Sequence, residues 1–86
     1  MYYVYVLRSE RDKKFYIGFT KDLKQRIEKH KKGQVTTTKN RLPIKLIFCE
    51  IYLSRKDAKR REKFFKTTKG KATLKILLKS YLKSIN

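Results

Sequence analysis

The chain has 86 residues, enough for one small domain with a thin hydrophobic core. Its 25 Lys and Arg residues against 7 Asp and Glu residues give a net charge of +18, which favours an anionic partner, nucleic acid before a lipid surface. A single cysteine excludes an internal disulfide and a multi-cysteine zinc site. We therefore expect one domain over residues 1–86, cytoplasmic and away from membranes, that binds DNA (RNA as second choice) as a monomer or weak homodimer.

Two β-type runs open the chain and flank the polar segment from Arg8 to Lys14, which predicts a hairpin. With the turn at Arg11-Asp12, Tyr5 lies opposite Gly18, and the hydroxyls of Tyr5 and Tyr16 reach the same face of the sheet. Gly18 is expected to leave open space beside the Tyr5 ring, where another group approaches the backbone. The opposite face is apolar and is predicted to be the core side; it carries Val4, Val6, Phe15, Ile17 and Phe19.

A helix is predicted to begin at Asp22 and to run to about Lys32, with Gly33 as its stop. Arg26 and His30 are four residues apart and are therefore neighbours on the helix surface, beside its buried stripe. We expect both side chains to face the hairpin.

The segment from Gly33 to Pro43 is predicted to be a basic, hydroxyl-rich loop. Such a loop can donate hydrogen bonds to phosphates, although a solvated connector has the same composition. The candidate nucleic-acid contacts lie in this loop and in the helices on either side of it: Lys24, Lys39, Asn40, Arg41 and Lys66.

An alternating strand is predicted from Lys45 to Leu53, and because both of its faces are largely apolar, we expect it to be the central strand. Ser54 starts a second helix that runs to about Thr68, and Gly70 is expected to end it. The segment from Leu74 to Ile85 has the spacing of one amphipathic helix, whose lysine face is either solvated or a track for nucleic-acid backbone. One face of the predicted strand carries Leu46, Phe48, Glu50 and Tyr52.

Glu62 shares the apolar stripe of the second helix with Ala58 and Phe65. Since burying an unpaired charge costs several kcal/mol or more, Glu62 needs either a cationic partner or a divalent metal with phosphate oxygens and water. The candidate ion-pair partners are Arg26, Arg61 and Lys66. Glu50 is a weaker site candidate, whereas Glu10, Asp12 and Glu28 are interpreted as surface charges.

His30 is the only histidine, which argues against a histidine-based triad and against a multi-histidine metal site. It is either a proton-transfer or phosphate-contacting group or a partly exposed helix residue. Arg26 offers a rigid donor fork that suits a phosphoryl group gathering charge in a displacement.

Together these residues resemble the GIY-YIG endonuclease superfamily, in particular its short stand-alone bacterial members, and are similar to the N-terminal nuclease domain of the ABC excinuclease. Tyr3-Val4-Tyr5 matches the first motif and Tyr16-Ile17-Gly18 the second, followed by Arg26 and Glu62 in the two helices. Tyr3 stands where the family pattern has glycine, so the first motif is matched mainly through Tyr5. The likeness extends from about Tyr2 to Lys66.

The resemblance implies an α+β fold, a three-stranded antiparallel sheet flanked by helices, and phosphodiester hydrolysis with one divalent cation. It implies that Glu62 binds Mg²⁺ or Mn²⁺, that Arg26 stabilises the pentacovalent phosphate, and that Tyr5 is the general base, with Tyr16 positioning and His30 assisting. A tyrosine has an ordinary pKa of about 10, so it needs nearby cations to act as a base near neutrality.

We therefore expect a metal-dependent DNA endonuclease, structure-selective or weak, that acts in DNA repair or processing. The alternative is a non-catalytic DNA- or RNA-binding module that keeps the nuclease fold. The binding module predicts an affinity that falls steeply with salt and no cleavage product.

Overall fold

The computed structural model describes residues 1–85, which form one antiparallel sheet and four helices. The elements are β1 (Tyr2–Ser9), β2 (Phe15–Thr20), α1 (Leu23–Lys31), β3 (Ile44–Tyr52), α2 (Arg55–Phe65), α3 (Thr68–Leu77) and α4 (Lys79–Ser84). The strand order is β2-β1-β3, and both pairs are antiparallel. The predicted α+β arrangement of three strands flanked by helices is confirmed.

The β1–β2 hairpin has the predicted register. Tyr5 pairs with Gly18, and Leu7 pairs with Tyr16. The turn closes through a hydrogen bond from the backbone N–H of Ser9 to the carbonyl of Lys14 at 3.0 Å. The two tyrosines of the predicted pair therefore start from one face of the sheet.

The expectation that the Ile44–Tyr52 strand is central is wrong, because β1 occupies the centre and β3 lies at an edge. Four consecutive β1 residues, from Val4 to Leu7, are at most 2% exposed, whereas Ile51 of β3 is 56% exposed. Apolar residues on both faces of a strand indicate helices above and below it, and they do not report how many strands lie beside it.

A bulge in β3 changes the faces that alternation predicted. Leu7 pairs with Leu46, whereas the preceding residue, Val6, pairs with Phe48, so Ile47 is the extra residue. Leu46 therefore packs beside Leu7, while Phe48 packs beside Val6 on the other side of the sheet. The prediction that Leu46 and Phe48 share a face is wrong, because alternation within one strand cannot reveal an inserted residue.

The sheet separates two small cores, which accounts for the burial of β1 on both faces. On the α1 side the buried cluster consists of Tyr5, Leu7, Ile27 and Ile44. On the side of α2 and α3 it consists of Val4, Val6, Ala58, Phe65 and Leu74, with Phe15, Ile17 and Phe19 packed against it. The predicted core face of the hairpin is confirmed.

The bounds of α1 agree with its sequence signals. The Asp22 carboxylate accepts a hydrogen bond from the backbone N–H of Gln25 at 3.1 Å and so caps the first turn. Gly33, with φ of 74°, follows the last turn in a conformation that glycine adopts without strain.

The second helix ends earlier than predicted. α2 begins after Ser54 as expected, but it ends at Phe65, and Thr67 caps α3 by accepting a hydrogen bond from the backbone N–H of Gly70 at 3.0 Å. Gly70 does not end α2. It is buried inside α3, where a Cβ would overlap the Phe64 carbonyl, so its missing side chain lets α3 pack closely against the end of α2.

The prediction of one helix from Leu74 to Ile85 is also wrong, because the chain breaks at Leu78 between α3 and α4. Leu74 is fully buried, yet Leu77, three residues later on the same predicted apolar face, is 52% exposed. The spacing of the leucines continues through the break, so periodicity did not reveal it. Within residues 1–85, no helix combines the length and apolar character needed to cross a membrane.

Candidate active site

A pocket of about 360 Å³ lies beside β2, where residues from β1, α1 and α2 and from the loop of residues 32–43 meet. It brings together all of the residues that the sequence proposed for catalysis, which are Tyr5, Tyr16, Arg26, His30 and Glu62. These residues lie on four different elements, so their convergence is a property of the fold and not of one motif.

Gly18 allows Tyr5 to reach this pocket. A Cβ at position 18 would overlap the outer atoms of the Tyr5 ring, because that ring lies across the neighbouring strand. The expectation of open space beside Tyr5 is therefore wrong, since the ring itself fills it. The glycine lets a side chain from the buried central strand place its hydroxyl at the edge of the sheet.

The Tyr5 hydroxyl is the centre of a short hydrogen-bond chain. It lies 3.0 Å from Nε2 of His30 and accepts a hydrogen bond from Nε of Arg26 at 3.3 Å. On the far side of the imidazole, Nδ1 lies 2.7 Å from Oγ1 of Thr38. Both ring nitrogens of His30 are therefore engaged, and the ring is fixed between the first strand and the loop.

His30 is buried, with 4% of its surface exposed. Burial, with a smaller contribution from the Arg26 charge, lowers the pKa of His30 to about 4. The imidazole is therefore neutral at physiological pH, and a neutral ring has one nitrogen available as an acceptor. The interpretation of His30 as a partly exposed helix residue is wrong.

Tyr16 has a different environment. Its hydroxyl donates a hydrogen bond to Oδ2 of Asp12 at 2.6 Å, and Nε of Arg41 lies 3.1 Å from the same carboxylate oxygen. The hydrogen bond to Asp12 raises the pKa of Tyr16, so this phenol keeps its proton. The same bond lowers the pKa of Asp12. Asp12 was interpreted as a surface charge, but its carboxylate holds both Tyr16 and Arg41.

Glu62 borders the pocket from α2 and has 12% of its side chain exposed. Burial alone would raise the pKa of its carboxyl, but hydrogen bonds from Lys59 and Lys66 outweigh that effect and lower it. The N–O distances are 2.9 Å to Lys59 and 3.2 Å to Lys66. Glu62 is therefore an ionised carboxylate held at the edge of the core, and of its three predicted partners only Lys66 contacts it.

Residues 1–75 match the sequence profile of the GIY-YIG catalytic domain. The chain belongs to the GIY-YIG family. The resemblance inferred from the tyrosine motifs, Arg26 and Glu62 is confirmed at the level of the family. The GIY-YIG catalytic domain is a nuclease domain, so nucleic acid is the class of partner that membership implies.

Relatives of this GIY-YIG domain are small bacterial proteins. A UPF0213 protein of Streptococcus pneumoniae is 40% identical over 68 residues, which are 78% of this chain and 68% of that protein. A UPF0213 protein of Staphylococcus aureus is 34% identical over 77 residues, which are 88% of this chain and 93% of that protein. The solution NMR structure of a UPF0213 protein from Bacillus halodurans matches with a TM-score of 0.57 and 33% identity, covering 90% of this chain and 85% of that one.

The pocket of the GIY-YIG domain fits one divalent cation only if the substrate completes its coordination. Among residues 1–85, Glu62 is the one acidic side chain that lines the pocket, and no group of three or more His, Cys, Asp and Glu side chains gathers anywhere. A single carboxylate with phosphate oxygens and water is an environment in which Mg²⁺ is commonly bound. The ionised state of Glu62 agrees with that role.

The predicted nucleic-acid contacts are placed unevenly. Lys66 lines the pocket, whereas Arg41 does not and instead pairs with Asp12, which accepts the hydrogen bond from the Tyr16 hydroxyl. Lys39 and Asn40 are exposed on the loop but do not line the pocket. Lys24 lies on a separate surface beside Tyr3 and is not brought to the pocket.

Glu50, the weaker site candidate, forms an ion pair on β3, at the opposite edge of the sheet from β2. Its carboxylate accepts hydrogen bonds from Nε of Arg61 at 2.9 Å and from the hydroxyl of Tyr52 at 2.7 Å. Burial and the hydrogen bond to Glu50 raise the pKa of Tyr52 to about 12. Glu50 is absent from the pocket that contains Glu62, and its contacts are those of a structural pair.

Two buried polar residues that connect the loop of residues 32–43 to β1 and to α1 were not predicted from the sequence. Ser9 is fully buried, and its hydroxyl donates to the Arg41 carbonyl at 2.6 Å while accepting from the backbone N–H groups of the turn. Thr38 is also fully buried, against His30. Asp12, four residues before Tyr16 in the hairpin, carried a usable signal because both were predicted beside the turn. For Thr38, one of three consecutive threonines, the sequence offers no signal that distinguishes it from its neighbours.

Proposed function

We propose that this GIY-YIG domain is a metal-dependent DNA endonuclease that hydrolyses phosphodiester bonds in the pocket beside β2. The observation that supports the proposal most strongly is the convergence of Tyr5, Arg26, His30 and Glu62 on one solvent-reachable pocket. These residues supply the groups that phosphodiester hydrolysis needs: a guanidinium, an ionised carboxylate, and a neutral imidazole beside a phenol.

Arg26 would bind the scissile phosphate and stabilise the charge that develops on it during the displacement. Its Nε donates to Tyr5, which leaves the terminal nitrogens of the guanidinium available to phosphate oxygens. Two lysines, Lys66 and Lys71, line the same pocket and would hold the neighbouring phosphates.

Tyr5 would accept the proton of the attacking water while passing its own proton to Nε2 of His30, which lies 3.0 Å away. His30 is a neutral acceptor at physiological pH, and a bound phosphate would increase its basicity by adding negative charge nearby. The tautomer with the proton on Nδ1, donated to Thr38, leaves Nε2 free for this step.

Tyr16 would position substrate or water without changing its protonation state, because its proton is donated to Asp12. Glu62 would hold Mg²⁺ or Mn²⁺, exchanging a contact with Lys59 or Lys66 for the cation. The bound cation would supply Lewis-acid stabilisation of the phosphate and of the leaving oxygen.

A non-catalytic nucleic-acid-binding module is the second candidate, and one observation favours it. Both carboxylate oxygens of Glu62 are engaged by lysines, so the only acidic group that lines the described pocket is already neutralised. A module of this kind would bind DNA or RNA through phosphate contacts and release no product.

Cleavage of a panel of supercoiled plasmid, branched, duplex and single-stranded substrates tests the choice between the two. The wild-type protein is compared with Arg26→Ala and Glu62→Ala in Mg²⁺, in Mn²⁺ and in EDTA. We expect metal-dependent nicking by the wild-type protein, its loss in both variants, and retained DNA binding by Glu62→Ala. Binding by the wild-type protein without product from any substrate in either metal would favour the binding module.

A further inference from the structure

A second groove, of about 560 Å³, lies on the far side of Phe15 from the pocket. We call it the Phe15 groove. Its floor is apolar, made by Phe15, Leu82 and Ile85, and its rim includes Lys14, Lys71 and Lys75. The hairpin and the two C-terminal helices form its walls.

The Phe15 groove adjoins the pocket. Phe15 and Lys71 line both cavities, so the groove begins next to the pocket on this side of the molecule. Lys71 stands at the junction and is exposed. A polymer whose phosphate occupies the pocket therefore has a route for its next units.

Some cations of the groove form ion pairs with an acidic residue, and others do not. Glu10 lies within 3.4 Å of Arg8 and 3.6 Å of Lys13, and it neutralises part of their charge. Lys14, Lys71 and Lys75 are exposed and form no ion pair within residues 1–85. Three unpaired lysines along one groove favour a polyanion over a neutral ligand.

We propose that the Phe15 groove binds the unpaired nucleotides that flank the scissile phosphate, so that the substrate class of this domain is DNA with a single-stranded segment at the cut site. This inference rests on the proposed function. An intact duplex presents phosphates outside and hides the faces of its bases, whereas an unpaired strand offers bases to an apolar floor and phosphates to a basic rim. A lipid headgroup or an acidic peptide lacks that repeated combination of flat apolar rings and anions.

The first test compares two double variants by fluorescence anisotropy in EDTA, so that no cleavage is required. Lys14→Ala/Lys75→Ala removes two charges from the groove, and Lys29→Ala/Lys56→Ala removes two exposed charges from α1 and α2. Because one phosphate contact on a single strand contributes a salt slope of about 0.7, the groove variant should bind a single-stranded 12-mer about tenfold more weakly at ~150 mM salt. The control should change about twofold or less, and the duplex should respond much less than the single strand.

The second test addresses the apolar floor. A single strand in which three consecutive bases are replaced by abasic sites keeps its phosphates but loses the stacking surfaces. We expect the wild-type protein to bind it at least about fivefold more weakly than the complete strand, since stacking on an aromatic side chain contributes substantially for each base.

Equal losses in the two double variants, an equal response of duplex and single strand, or no effect of abasic sites would overturn the proposed groove. Groove-dependent effects on liposomes of anionic lipid or on a poly-glutamate peptide, with none on DNA, would also overturn it. A protein that cuts DNA but shows none of the groove effects loses this inference alone. A protein that shows the groove effects but never cuts loses the proposed catalysis, and the groove remains as a binding site.

Discussion

At the scale of single residues, the site depends on the large side chain of Tyr5 lying across Gly18, which has no side chain. Tyr5 belongs to the most buried strand, and its ring reaches the pocket only because Gly18 has no Cβ to block it. In this chain, the glycine at position 18 is therefore explained by steric access for a tyrosine from the adjacent strand, not by backbone flexibility.

Gly18→Ala should displace the Tyr5 ring and its hydrogen bonds to Arg26 and His30. We expect activity to fall by at least about tenfold, because the phenol loses its position, and stability to fall by roughly 1 to 3 kcal/mol from overpacking. Single-turnover cleavage and urea unfolding measure the two effects. Wild-type cleavage by a well-folded Gly18→Ala protein would show that the Tyr5 position is unimportant.

His30 should make the stability of the protein depend on pH. Its pKa is lowered by burial from 6.5 to about 4, so the unfolded chain binds the proton more tightly and stability is lost as the pH falls below 6.5. Between pH 7 and pH 5 this corresponds to roughly 2 kcal/mol of unfolding free energy. Urea titrations of wild-type and His30→Gln proteins at the two pH values measure it. An equal loss in both proteins would mean that His30 is not the group responsible.

At the scale of the elements, the hairpin, its register and the first helix were predictable because their signals are local. Alternation, a polar turn and a cap lie within a few residues of one another. The position of β3 at the edge, its bulge at Ile47 and the break at Leu78 were not predictable, because each depends on how distant segments pack. The partners of Glu62 were only partly predictable for the same reason: a stripe shows that a carboxylate is near the core, but rotamers decide which lysine it meets.

Gly70→Ala tests the close packing of α3 on α2. In an exposed helix this change would stabilise by about 1 kcal/mol. Here the new Cβ overlaps the Phe64 carbonyl, so we expect destabilisation of roughly 2 kcal/mol or more. Lys69→Ala, at an exposed neighbouring position, is the control and should stay within about 0.5 kcal/mol of wild type. Stabilisation by Gly70→Ala in thermal and urea unfolding would refute the tight helix contact.

At the scale of the whole molecule, most acidic residues form ion pairs with nearby cations, and the cations greatly outnumber them. Glu10, Asp12, Glu50, Asp57 and Glu62 all form ion pairs within residues 1–85. The remaining positive charge of a chain with a net charge of +18 faces outward and draws polyanions to the surface around the pocket. Such a general attraction would account for binding of nucleic acid, whereas the proposed cleavage would require the specific groups in the pocket.

We propose that the Glu62 carboxylate is essential for cleavage by this domain. The claim is tested most directly by the single-turnover cleavage rates, in Mn²⁺, of Glu62→Gln and of Asp57→Asn. Both changes remove one negative charge from α2, but Asp57 lies outside the pocket and pairs with Arg60. We predict that Asp57→Asn cuts within about threefold of wild type and that Glu62→Gln is slower by at least about 100-fold. Cleavage by Glu62→Gln at the rate of Asp57→Asn would contradict the claim.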